Sequence, residues 1–225
     1  MTTDGRRLIF NFHGIGVPHA EVGDGETAYW CAQDIFLALL DRLAALRDAG
    51  HTIGITFDDG NRSDLDIAAP ALTERGFTAC FFVCAGRLSD SRYLGAEDLA
   101  ALEDMGMTIG SHGENHVDLR RTDDQALAIE AQAAGQALAR HCSGPVDSFA
   151  IPFGSYDRRV LRSLRHFRRV YASDAIRATG RERVIPRVSY MRHWTLDTPG
   201  KLAARKETLI RRALGRAKVF AKSLR

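Results

Sequence analysis

Thr56-Phe57-Asp58-Asp59-Gly60 follows the apolar run His51-Thr52-Ile53-Gly54-Ile55. The run reads as a buried strand, and the pentapeptide is its end. Side chains alternate along a strand, so neighbouring carboxylates point opposite ways unless the chain is already turning. A glycine directly after them favours such a turn. Two aspartates aimed into one cavity repel, and a cation or a proton must hold one of them. The competing reading is a solvated Asp-Gly turn, and the rest of the chain decides between the two.

Outward from this stretch the pattern repeats. Leu8-Ile9-Phe10-Asn11-Phe12 reads as a buried strand ending at His13-Gly14. Residues 14–28 read as a glycine-rich loop. Residues 31–49 follow helical spacing, with Ile35, Leu39, Leu43 and Leu46 on one face and Gly50 as the stop. A helix over 64–75 stops at Gly76 and is interrupted or begun near Pro70. The apolar run Phe77–Val83 has the composition of a strand buried on both faces. A helix over 96–104, a strand from Met107 to Gly110, an Ala-rich helix over 122–140 and a strand from Val146 to Ala150 follow. A helix over 157–166, capped by Asp157, leads to a short strand from Arg169 to Ala172 and a further one between Val184 and Tyr190. Strand and helix alternate throughout, which implies a parallel sheet, open or closed into a barrel. His13, Asp58, Asp59 and His112 all fall where a strand ends and a loop begins, the edge on which such folds build their sites.

Ser111-His112-Gly113-Glu114-Asn115-His116 is the second informative stretch. Two histidines four apart just past a strand end can converge on one ion. A metalloprotease helix would need Glu directly after the first His. Here Gly113 follows, and Gly110, Gly113 and Asn115 argue for a loop. One Asp with two His makes a three-ligand site for a divalent ion with positions left open, and the second Asp stays free as a base.

With these residues the chain resembles the polysaccharide deacetylases of carbohydrate esterase family 4, the NodB-homology domain, over about residues 7–190. The family's TFDDG motif stands in full at 56–60. Its His-Ser/Thr-x-x-His motif stands at 112–116, with Gly113 in place of Ser or Thr. Its Arg-x-Pro-Tyr motif is matched in part by Ala150-Ile151-Pro152-Phe153. The resemblance implies an α/β fold, a distorted (β/α)7 barrel of the TIM-like kind, and metal-dependent N-deacetylation of acetamido sugars. By position it makes Asp58 the general base and Asp59, His112 and His116 the metal ligands. The ion it implies is zinc first, with cobalt, nickel or iron as alternatives. Phe153 takes the position whose backbone N–H helps hold the oxyanion.

The chain also departs from the family. Ala150 stands where the family has the Arg that orients the catalytic Asp, and Arg187 is a candidate replacement from another strand, against the reading of a surface arginine. The family's Leu-x-His motif is missing after residue 175, since His193 lacks an apolar strand before it. One branch, similar to the poly-N-acetylglucosamine deacetylases, places the acid His at the end of the first strand. Phe12-His13-Gly14 fits that pattern and makes His13 the candidate general acid. The lost Arg and the missing motif leave a second reading open, a catalytically weak or inactive carbohydrate-binding protein on the same fold.

Composition bounds the rest. Hydrophobic residues at 45% and charged residues at 26% are ordinary for a globular domain. Of 31 Lys/Arg and 28 Asp/Glu, nine and one lie in residues 201–225, so the other 200 residues hold 22 and 27 and are net acidic by five. An acidic body without a reader motif argues against nucleic acid. The basic end has Leu202, Leu209, Ile210, Leu214 and Leu224 at near-helical spacing. It reads equally as a basic amphipathic helix in peripheral contact with an anionic membrane or as a helix packed on the barrel. The domain is thus expected over 1–200, followed by a C-terminal helix over 201–225. No secretory signal is visible. The expected location is the cytoplasm or the inner membrane surface, with an N-acetylated glycan or a lipid- or nucleotide-linked sugar as substrate. The four cysteines, Cys31, Cys80, Cys84 and Cys142, read as free thiols. Trp30, Tyr29 and Tyr93 are candidates for stacking on sugar rings, with packing as the alternative. Arg158, Arg159, Arg162, Arg165, Arg168 and Arg169 read as a solvated basic face, or as a contact for an anionic glycan.

Overall fold

The computed structural model describes residues 7–19, 22, 24–173 and 183–205. Its centre is a set of parallel strands: β1 (Arg7–Phe12), β2 (Thr52–Phe57), β3 (Cys80–Val83), β4 (Thr108–Ser111), β5 (Ser148–Ala150) and β6 (Arg169–Ala172). Each pairs with the next in chain order. The last segment closes the sheet. Its first half, β7 (Val184–Pro186), pairs with β6, and its second half, β8 (Val188–Ser189), pairs with β1. One extended stretch, broken at Arg187, therefore spans the gap between the last strand and the first. The amide of Arg187 donates to the Ala172 carbonyl (2.9 Å) and that of Tyr190 to the Asn11 carbonyl (2.7 Å). The result is the expected (β/α)7 barrel, with the segment predicted over 184–190 as its seventh stave.

Alternation along the strands sorts the core into an inside and an outside. Leu8, Phe10 and Phe12 face outward, under α2 (Gln33–Asp48). Phe12 and Phe57 stack at 5.6 Å, Phe57 and Phe81 at 4.7 Å, and Phe36 of α2 packs edge-on against the first two. Burying aromatic area of this kind is worth roughly 25 cal/mol per Å², with offset and edge-on pairs adding to it. Ile9, Phe82, Ala150 and Tyr171, joined by Cys80 and Ile185, face inward and fill the lumen. A further cluster covers β5 and β6 from outside, with α5 (Asp124–Ala128) and α7 (Arg158–Ser163).

The helices confirm the sequence reading in position and adjust it in detail. A short helix, α1 (Asp24–Thr27), lies inside the predicted loop. The buried face of α2 is Phe36, Leu39, Leu40 and Leu43, with Ile35 and Leu46 only partly buried, so the stripe is rotated from the predicted one. Gly50 has φ 90°, the left-handed conformation expected of a helix stop. The predicted helix over 64–75 is a widened π-turn, Asp64–Ala68, followed by α3 (Ala69–Glu74). Pro70 has no N–H and its ring crowds the carbonyl four residues back, and the turn ahead of it is the widened one. α4 (Ala96–Asp104) has the expected bounds, and the strand expected over 77–83 forms only from Cys80. The Ala-rich helix is α5 and α6 (Ala134–Ala139), joined by a second π-turn, Ile129–Ala133. Asp157 caps α7 by accepting from the Val160 amide (2.9 Å), as expected.

The basic segment from 201 onward begins inside a helix that starts earlier, α8 (Thr198–Ala204). There Ala203 joins the main core and Leu202 packs beside it. That start is packed on the barrel; residues 206–225, where most of the amphipathic pattern falls, lie outside the described residues. Among the described residues no helix is long and apolar enough to cross a membrane. All four cysteines are free thiols.

Candidate active site

Every candidate residue stands at the same end of the barrel. β1 ends at Phe12 and delivers His13, β2 delivers Asp58 and Asp59, β4 delivers His112, and the turn after β5 delivers Phe153. Together with His116 and Arg187 they line one cavity of about 450 Å³, with Glu26, Tyr29, Met191 and Trp194 at its wall. That volume is in the range for one small ligand.

The backbone shows how the adjacent aspartates reach one cavity. Asp58 is still in the sheet, its amide donating to the Phe12 carbonyl (3.0 Å). Asp59 then takes φ 80° and the chain reverses. Among the described residues, the non-glycine residues with positive φ are Asp59, His116 and Phe153, and all line this cavity. Each such residue costs about 1–3 kcal/mol and persists only where its surroundings enforce it, most often at a functional site.

Asp59, His112 and His116 present ligand atoms that lie within 4.8 Å of one another. The nearest oxygen, Asp59 Oδ1, is 3.4 Å from His116 Nε2 and 3.7 Å from His112 Nε2. It is buried and has no hydrogen-bond partner among the described residues. Nδ1 of His112 faces the Ala150 carbonyl at 2.8 Å. A carbonyl only accepts, so Nδ1 carries the proton and Nε2 turns its lone pair to Asp59. Burial lowers the pKa of His112 to about 4, so the ring is neutral at pH 7. An orphaned carboxylate oxygen facing two imidazole nitrogens, one of them a fixed lone pair, is a donor set suited to a divalent transition ion. Arg87 Nη1 stands 3.6 Å from the same Asp59 oxygen and packs its guanidinium over Tyr93 at 4.5 Å.

Asp58 is held separately. Arg187 grips it with two bonds, Nη1 to Oδ1 at 2.7 Å and Nη2 to Oδ2 at 2.8 Å. Asn11 Nδ2 donates to Oδ2 at 3.0 Å. The Asn11 oxygen in turn accepts from Thr56 Oγ1 (2.7 Å) and Arg187 Nη1 (2.8 Å). Arg187 is 1% exposed, and its guanidinium lies over Phe82 at 5.2 Å and Tyr171 at 5.8 Å. It is not a surface arginine; it fills the lumen beside the small Ala150 and orients Asp58 from the closing strand. Burial would raise the Asp58 pKa, but the charge of Arg187, then His112, the Arg187 hydrogen bonds and His13 outweigh it and hold the carboxyl well below the usual range. His13 Nε2 is 4.0 Å from Asp58 Oδ2, and its ring packs on Tyr29 at 4.9 Å.

The glycine in the second motif also has a cause. Gly113 has φ 85°, and a Cβ there would sit 2.5 Å from Glu130 Oε2. Glu130, buried in the second π-turn, accepts from the amides of Glu114 (2.7 Å) and Asn115 (3.1 Å) and from Asn115 Nδ2 (3.0 Å). It holds the loop between the two histidines in shape. Gly113→Ser is therefore expected to destabilise the protein by about 1–3 kcal/mol through left-handed strain and overpacking. Urea denaturation checks this, and an unchanged midpoint would show that the loop has room for the side chain.

Other readings are corrected. Trp30 is buried, and a Cβ on Gly14 would meet its ring at 2.3 Å, so it packs under the loop and offers no face to a sugar. Tyr93 pairs with Arg87 and His19, whereas Tyr29 does line the cavity. Of the arginines after residue 157, Arg158, Arg162 and Arg165 are exposed at helical spacing on and just past α7, as a solvated face requires, and the others stand apart from them. Arg159 bonds Asp124 and the Thr122 carbonyl, Arg168 approaches Asp147, and Arg169 is at the start of β6. Asn11, Glu130 and Arg87 went unread in the sequence. Asn11 is a polar residue inside an apolar strand, which is the one signal available for it.

Residues 46–171 match the sequence profile of the polysaccharide deacetylases, and the chain belongs to that family. It is 24% identical over 109 residues to the putative polysaccharide deacetylase YxkH of Bacillus subtilis. The match covers 48% of this chain and 39% of that protein, so the chain spans about two fifths of the length of its curated relative. Among solved structures it is similar to the Streptococcus pyogenes deacetylase PplD in complex with acetate. That likeness has a TM-score of 0.76 at 17% identity and covers 89% of this chain and 99% of that one. It is also similar to a de-N-acetylase from Aggregatibacter actinomycetemcomitans, with a TM-score of 0.75 at 12% identity over 88% of this chain and 99% of that one. IcaB from Ammonifex degensii gives a TM-score of 0.70 at 19% identity over 89% and 97%. At these identities the likeness is one of fold.

Proposed function

We propose that this protein is a metal-dependent hydrolase that removes the N-acetyl group from an acetamido sugar in a glycan or glycan precursor. The observation that carries the reading is the separation of two adjacent carboxylates. Asp59 faces two imidazole nitrogens with an orphaned oxygen, and Asp58 is kept apart from them by Arg187 and Asn11. A binding protein has no need of that division.

Asp59, His112 and His116 would hold the ion. A divalent ion there, zinc first and cobalt, nickel or iron as alternatives, supplies Lewis acidity that lowers the pKa of water and stabilises negative charge. Asp58 stays ionised throughout the neutral range and takes the proton of the attacking water. Arg187 and Asn11 keep its carboxylate plane fixed during that transfer. His13, across the cavity wall against Tyr29, gives a proton to the departing amine nitrogen. The Phe153 amide, on the turn after β5, contributes to holding the oxyanion. Phe153 itself is 65% exposed and packs on His116 at 4.7 Å, and Tyr29 and Trp194 offer apolar surface for the sugar ring. The missing motif-three Arg was one of two arguments for an inactive binding protein, beside the missing Leu-x-His motif, and the bidentate grip of Arg187 on Asp58 answers it.

The test is acetate release from a panel of N-acetylated sugars, free, polymeric and lipid- or nucleotide-linked. Activity is expected to vanish on chelation and return with a divalent transition ion. Release of acetate from none of them, after verified metal loading, would sink the proposal. In the same assay His13→Ala is expected to lose about 10²–10⁴-fold in turnover. Near-normal turnover in that variant would remove His13 as the acid.

A further inference from the structure

The end of the barrel opposite the candidate active site carries a second cavity, of about 230 Å³. It is lined by Arg7, Gly54, Thr56, Thr78, Cys80, Thr108, Arg169 and Tyr171, among others. Strand alternation explains how it is built. Ile9 and Tyr171 face the lumen, so Arg7 and Arg169, two residues earlier on β1 and β6, face its lower mouth. The Arg7 guanidine lies across Gly54, whose added Cβ would meet Nε at 3.0 Å. Neither arginine makes an ion pair or side-chain hydrogen bond with any described residue, and among the described residues no carboxylate lines the cavity.

Of the remaining polar groups, Thr108 Oγ1 donates to the Ala79 carbonyl (3.4 Å) and Thr56 Oγ1 to Asn11 Oδ1 (2.7 Å), which leaves the Tyr171 and Thr78 hydroxyls as the donors beside the arginines. The Tyr171 hydroxyl and the Thr78 and Thr108 side chains border the space. Burial raises the Tyr171 pKa and pushes the Cys80 thiol up to about 12, so both keep their protons. Two guanidiniums, a phenol and hydroxyls over the lumen side chains, with no carboxylate among the described residues, form a receptor for a tetrahedral oxyanion. The volume equals roughly eight waters at ~30 Å³ each, enough for a phosphate and a few further atoms.

We propose that the N-terminal mouth of the barrel binds a phosphate-class oxyanion between Arg7 and Arg169. Its floor is shared with the candidate active site. Thr56 borders this cavity and accepts from Arg187 Nη1 at 3.2 Å, and the Tyr171 ring lies under the same guanidinium. One layer of side chains thus separates the anion from the arginine that orients Asp58.

Calorimetric titration of the chelator-treated full chain with inorganic phosphate tests this, against sodium chloride at equal ionic strength. Saturable binding at one site is expected. It should survive in His116→Ala and weaken at least tenfold in Arg7→Gln and in Arg169→Gln, each checked for folding by circular dichroism. A parallel titration with a sugar phosphate separates the sources. Tighter binding of the ester points to an esterified ligand and tighter binding of the free ion to phosphate itself, both dependent on the arginines. No saturable heat, equal binding in the arginine variants, or loss of binding in His116→Ala would overturn the proposal.

Discussion

Asp58→Asn is expected to lower turnover by about 10²–10⁴-fold while leaving metal uptake intact. The candidate ligand set lies on Asp59, His112 and His116, and Asp58 supplies none of its atoms. The substitution is not silent for the fold. Both oxygens of Asp58 accept, from Arg187 on each side and from Asn11 on Oδ2. An amide can accept on one side only, so its NH₂ meets a donor and the buried Arg187 charge loses its counter-ion. A loss of a few kcal/mol in stability follows. The measurement is therefore turnover together with metal content, at a temperature where circular dichroism shows the variant folded. A folded, metal-loaded variant with wild-type turnover would rule out Asp58 as the base.

Arg187→Met tests the other half of that pair, and its effect is expected to be larger on the fold. Removing one partner of a buried ion pair leaves an uncompensated charge and costs about 3–5 kcal/mol. Its pH dependence carries a sign. In the native, metal-free protein the Asp58 pKa is held below its ordinary value of 3.8. Its contribution to stability is therefore present above that value and lost as pH falls through the depressed one. In the variant the largest influence, burial, acts without its main opponent and raises the pKa. The contribution then exists at low pH and is lost as pH rises. Urea midpoints between pH 4 and 8 are expected to fall with rising pH in Arg187→Met relative to the unsubstituted protein. Adding Asp58→Asn to Arg187→Met should restore part of the loss, and strict additivity of the two would refute the coupling.

Much of this arrangement was legible in the chain, and what was not has physical reasons. Local signals carried the strand ends: an apolar run, then a polar residue, then glycine marks His13 and Asp58 without any knowledge of pairing. One Asp with His112 and His116 stood out as a candidate ligand set by residue type, and the family resemblance chose Asp59 over Asp58; the structure brings Asp59, His112 and His116 together. Arg187 could be named but not placed, since its partner lies 129 residues away and only barrel closure brings them together. Asn11 and Glu130 act by hydrogen bonds across elements, and no spacing rule reaches such pairs. The π-turns escaped because a widened turn leaves the apolar period of the flanking helices nearly intact. Trp30 went the other way, since aromatic character alone does not distinguish a ring under a loop from one beside a cavity.

The closing stretch from Val184 to Ser189 has a consequence for the order in which the molecule matures. Its contacts join residue 187 to residues 11, 56 and 58, so this closure has a long sequence separation and a large entropic cost. During synthesis the first six strands can pair in order of emergence, each with a neighbour already made. Asp58, the proposed base, has no orienting arginine until the last stave arrives. A nascent chain thus has all three candidate metal ligands, which end at residue 116, well before it has a seated Asp58. Under the proposed roles, ion capture and the seating of the base are separate events, the first possible once residue 116 has emerged and the second only once residue 187 has.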